Sequence, residues 1–158
     1  MNTPEFGKLQ TSIISLRSDL MGYSPKADGA YSREELLRCQ AYIVFVHAEV
    51  QVYLEGVARR IVLEAKQKWK TGRGFDRVTS SLLVFRRPER VNVPSDPKNP
   101  NGGGNLEQLI EQSIESQIKV ISENNGIKRA NVADLFCPLG ILSDELACIM
   151  RREQACVV

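Results

Sequence analysis

His47 is the only histidine in the chain, and histidine is the side chain that most readily moves protons near neutral pH. Its surroundings admit two readings. Ile43, Val50 and Leu54 recur around it at helical spacing. The expectation that this spacing favours is a buried neutral imidazole on a core stripe, satisfied by a side chain or a carbonyl. The chemical alternative is a general base. Glu49 lies two residues on, so it faces another side of a helix and cannot orient His47. On its partly apolar face, Glu49 is a candidate buried carboxylate paired with an arginine from another helix. Near the other end stand Arg151, Arg152 and Glu153. A planar guanidinium fork can hold a phosphate and stabilise charge developing on it. On the residues alone, two arginines late in an amphipathic helix are also what the helix dipole favours at a C-terminus.

Other chemistries find less support. The four cysteines, Cys39, Cys137, Cys148 and Cys156, form no C-x-x-C pair. That argues against a zinc site and for a reducing compartment. One histidine cannot build a metal centre without help from carboxylates or thiolates, so neither metal nor cofactor is implied. The formal net charge of +2 is too mild to argue for nucleic acid by itself. Cations do cluster in the middle third, at Arg59, Arg60, Lys66, Lys68, Lys70, Arg73, Arg77, Arg86, Arg87 and Arg90. Solvated helix ends explain each of them singly; a basic rim for an anionic partner would explain them together. The N-terminus has no basic segment leading into an apolar run. No apolar stretch approaches the roughly 20 residues that span a bilayer. A cytoplasmic protein without membrane contact is the expectation.

The elements that must position these residues are helical throughout, so the expected fold class is all-α. The chain's 158 residues suit one domain, 1–158, with a substantial core. Phe6, Leu9, Ile13, Leu16 and Leu20 make one stripe on a first helix. Ser32 and Glu35 have the spacing of a capping box. A long helix follows, to Lys70, with a main stripe of Leu36, Ile43, His47, Val50, Leu54, Val57 and Ile61. Tyr42, Phe45, Val52 and Tyr53 make a second stripe. Apolar residues on two faces predict cover on two sides, as the central member of a bundle would have. Such a helix would run about 57 Å, long enough to predict a bend near Gly56 or a break before Trp69.

A short helix is expected over 76–85, stopped before Pro88. Residues 87–105 are rich in Pro and Gly and read as a mobile loop. The next helix starts at a second capping-box pattern, Asn105-Leu106-Glu107-Gln108. It carries Leu106, Ile110, Ile114, Ile118 and Ile121 on its buried face, with Gly126 as its left-handed cap. Asn131 is the expected cap of a short helix ended by Pro138 and Gly140, and Ser143 that of a last helix. The segment 125–145 could pass for a helix-turn-helix. Phe136-Cys137-Pro138, however, supplies no polar side chains to read base edges.

Two blocks carry a resemblance to a known family. Leu37-Arg38 through His47-Ala48-Glu49 to Leu54-Glu55 resembles the central helix of HEPN-fold proteins. Ile121-Ser122-Glu123-Asn124-Asn125-Gly126-Ile127-Lys128, followed by Leu135-Phe136-Cys137-Pro138-Leu139-Gly140-Ile141, resembles the RiboL-PSP-HEPN branch. These blocks cover about a fifth of the chain. Their Asn-Gly and Pro-Leu-Gly elements are turn signals, which speak for a fold more than for an activity.

The resemblance implies a HEPN-like helical bundle with one long central helix and a metal-independent endoribonuclease activity of the toxin or phage-defence type. Its motif is an arginine, often followed by a polar residue, with a histidine a few positions later. Arg152 with Glu153 matches the first half, and Arg151 is the alternative register. Six residues, 153–158, follow Arg152, and none is histidine. The expectation is therefore either a shortened chain or a non-catalytic HEPN relative that dimerises or binds RNA. The implied partners are RNA, a second copy of the chain and a neutralising protein. Composite sites of this kind place the motif arginines of two protomers together across a two-fold axis.

Overall fold

The computed structural model describes residues 3–22, 26, 29–72, 74–86, 106–142 and 144–145. The described residues are all-α, with no strand among them. The helices are α1 (Pro4–Leu20), α2 (Arg33–Lys70), α3 (Arg77–Phe85), α4 (Leu106–Ser122) and α5 (Arg129–Phe136). A single 3-10 turn (Cys137–Leu139) follows α5. Contacts divide the chain into two compact units, Met1–Leu54 and Glu55–Val158. α2 contributes to both.

Local chemistry sets the helix starts. Thr3 caps α1 by accepting from the Phe6 N–H at 3.2 Å, and Pro4 at the first helical position needs no acceptor. Ser32 and Glu35 form the expected capping box. Glu35 N–H donates to Ser32 Oγ at 3.2 Å, and Ser32 N–H donates to Glu35 Oε2 at 2.6 Å. Lys26 Nζ reaches the same carboxylate at 2.8 Å. First the Lys26 ammonium, then the Ser32 N–H, hold the Glu35 carboxyl down at about 2. At α3, Asp76 Oδ1 accepts from both the N–H and the hydroxyl of Thr79, each at 2.8 Å.

In the first unit, the predicted stripe of α1 holds. Phe6, Leu9, Ile13, Leu16 and Leu20 are each half-buried, and the Phe6 ring meets Tyr53 edge to face at 6.1 Å. No described side chain of residues 3–54 is fully buried. Two features of α2 differ from expectation. There is no break before Trp69, since the helix runs on to Lys70. Its two stripes are not both covered in this unit: Leu36 is 50% exposed, Ile43 65%, Phe45 51% and Val52 66%.

The core sits in the second unit. α2 buries Ala58, Val62 and Ala65 there, and α4 buries Ile110, Ile114 and Ile121. Leu82, Leu135, Phe136 and Leu139 complete it. Each fully buried isoleucine or leucine contributes about 1.5–3 kcal/mol from area alone. α3 packs on α4 and on the 3-10 turn, and α5 packs on α4. Gly140 ends the turn at φ 85°, where a left-handed backbone costs glycine nothing.

Three smaller expectations shift. α4 ends at Ser122, so Gly126, at φ 120°, lies too far on to be its cap. α5 begins at Arg129 with Lys128 as its cap residue, leaving Asn131 inside the helix. Phe136, Pro138, Leu139 and Gly140 are buried, so this segment offers no recognition helix. The loop prediction for 87–105, the Asn105 cap and the Ser143 cap lie outside the described residues.

Candidate functional site

α2 is continuous around His47 and carries it to the surface, exposed, rather than into a core. The prediction of a buried imidazole is corrected. Helical spacing puts His47 in line with Ile43, but no element of residues 1–54 lies over that line. The imidazole is therefore open to solvent and to a partner, and a proton can reach it. Glu49 is only partly buried, so it does not need an arginine to compensate a sealed charge. Arg151, Arg152 and Glu153 lie outside the described residues.

Four of the seven described cations of the middle third stand beside acids. Arg60 stands 3.9 Å from Glu64, Lys68 3.8 Å from Asp76, Lys70 3.4 Å from Glu111 and Arg77 3.3 Å from Glu145. Exposed pairs like these add little stability. They do lower the local positive potential that a phosphate backbone would meet. Arg73, Arg87 and Arg90 fall outside the described residues. A shallow cleft of about 260 Å³ is lined by Glu64, Gln67, Lys68 and Thr71. The Thr71 hydroxyl donates to the carbonyl of Gln67 at 3.0 Å, which leaves the cleft no activated nucleophile.

One polar cluster was not anticipated from the apolar pattern. Gln117 is fully buried, and so is Ser113. Gln117 Nε2 donates to the carbonyls of Leu135 at 3.1 Å and Asp134 at 3.3 Å. Arg86 Nε donates to Gln117 Oε1 at 2.7 Å. Ser113 Oγ donates to the Leu109 carbonyl at 2.8 Å. The signal was present in the spacing: Gln117 falls between Ile114 and Ile121 on the stripe that starts at Ile110. The Arg86 and Gln117 bonds hold the end of α3, α4 and α5 together, while Ser113 bonds within α4, so the cluster is structural.

Among the described residues, no group of three or more His, Cys, Asp or Glu side chains could hold a metal ion. No helix there is long and apolar enough to cross a membrane. No family model, curated protein or solved structure matches this chain.

Proposed function

We propose that this chain is a self-associating helical module of the HEPN kind, with RNA as its ligand. The observation that carries this reading is the bare apolar surface of residues 1–54. Leu36, Leu37, Ile43, Val44, Phe45 and Val52 are each at least half exposed on one helix, and none of the described residues of that unit has a fully buried side chain. Apolar surface of that extent is stabilised by association. The RNA assignment comes from the resemblance, and the phosphate-binding geometry of arginine supports it.

Sedimentation velocity over a range of chain concentrations tests the association, and gel retardation of single-stranded RNA tests the ligand. The expected result is a concentration-dependent dimer that retards RNA, less so as salt rises. A chain that stays monomeric and leaves RNA free contradicts the reading.

A second reading is a HEPN-type, metal-independent endoribonuclease of the defence or toxin kind, held in check by a neutralising protein. The exposed position of His47 favours it, because a proton-transfer group must reach its substrate. In that chemistry the ribose 2′-oxygen attacks the adjacent phosphorus, and the bond to the 5′-oxygen breaks. The 2′-hydroxyl proton passes to a base, and the departing 5′-oxygen takes up a proton. Arg152, or Arg151 in the alternative register, would hold the phosphate, with Glu153 as its polar neighbour. RNA cleavage that persists in excess chelator and is lost in both Arg152→Ala and His47→Ala supports this reading. Intact RNA under those conditions returns the chain to the binding-module reading.

A further inference from the structure

Resting on the self-association proposed above, we propose that two copies pair along an antiparallel α2 seam whose two-fold axis passes between Ile43 and Val44. From Gln40 to His47 the exposed face of α2 is built symmetrically about that point. The apolar pair Ile43–Val44 lies at its centre, 65% and 64% exposed. Gln40 stands three residues before Ile43, and His47 three residues after Val44, both exposed. Leu36–Leu37 lies beyond Gln40, 50% and 55% exposed; Val50–Gln51, partly buried, lies beyond His47. The centres of these steps recur at about 3.5 residues, the repeat that keeps one seam of a helix against a partner. Positions 36, 37, 40, 43, 44, 47, 48 and 51 on this face carry no formal charge.

A two-fold interface must be complementary to itself, and this seam is. Antiparallel pairing about the axis sets Ile43 against Val44 of the second copy. It sets Gln40 against His47 of the second copy, and the symmetry does so twice. Gln40 and His47 thereby become hydrogen-bond partners of one another, since the carboxamide both donates and accepts and the imidazole can do either.

The test is sedimentation equilibrium on the full chain and four variants, with circular dichroism to verify that each stays helical. Ile43→Lys is expected to weaken self-association by at least about tenfold, leaving the helix content unchanged because Ile43 is exposed in the single copy. Gln40→Lys and His47→Glu each weaken association. The double variant Gln40→Lys, His47→Glu regains most of it. Its new charges sit seven residues apart on their own helix, two turns away, so only a contact between copies can pair them. A wild-type dimer that survives Ile43→Lys, or a double variant as weak as its singles, overturns the seam while leaving self-association standing. A monomeric wild-type chain overturns both.

Discussion

Arg86 Nε donates to Gln117 Oε1 at 2.7 Å, and this bond ties the end of α3 to the buried face of α4. Gln117 passes the connection on through its carboxamide nitrogen to the carbonyls of Asp134 and Leu135 in α5. Three helices are thus registered by one side chain with no solvent exposure.

Gln117→Leu keeps the volume and removes the partners, stranding the Leu135 carbonyl in the core. The expected loss is about 1–3 kcal/mol of unfolding free energy. Gln112→Leu, at an exposed site of the same helix, is expected to stay within about 0.5 kcal/mol of wild type. Urea denaturation of both variants measures the difference. Equal midpoints would show that Gln117 only fills space.

Gly140 and Gly74 separate backbone strain from crowding. Both have positive φ, 85° and 90°, so alanine at either costs about 1–2 kcal/mol from conformation. At Gly74 an added Cβ meets nothing within 4 Å, whereas at Gly140 it would lie 2.8 Å from Ser81 Oγ and 3.1 Å from Arg77 Cγ. Gly140→Ala is therefore expected to unfold at lower denaturant than Gly74→Ala. If the two coincide, α3 yields to the methyl group without cost.

The capping box makes the start of α2 sensitive to acid. Glu35 binds its proton at about 2 when folded, against an ordinary 4.5. Between those values the unfolded chain binds the extra proton. The contribution is thus complete above about pH 4.5 and falls away as the pH drops towards 2. Lys26→Met removes the largest cause, and the Glu35 carboxyl is expected to titrate closer to 4.5 in that variant. Carbon-detected NMR titration of the Glu35 side chain reads this directly. An unchanged titration would assign the depression to the Ser32 N–H alone.

Most of the helices, and the starts of α2 and α3, could be read from sequence because their determinants are local, whereas the Asn131 start expected for α5 was not where the helix begins. Ser32 and Glu35 are three residues apart and find each other whatever the rest of the chain does. Asp76 does the same for Thr79. The stripe of α4 marks its inner face, where Ile110, Ile114 and Ile121 are buried and Ile118 partly so, but its first member, Leu106, is 47% exposed.

Burial is decided elsewhere. Ile43 and Ile121 sit on equally convincing helical stripes, yet one is 65% exposed and the other sealed. Helical period says which residues share a face; it does not say whether another element arrives to cover that face. Ile121 lies on α4, which packs against α3 and α5. Ile43 and His47 are exposed, and no described helix of residues 1–54 covers them. Gln117 shows the converse, since the periodicity marked its position and only the arrival of Arg86 and the carbonyls of α5 made a buried carboxamide affordable. Local hydrogen bonds and spacing determined the helices of this protein. Long-range packing, which no short window of sequence contains, decided which of their faces became core and which remained open to a partner.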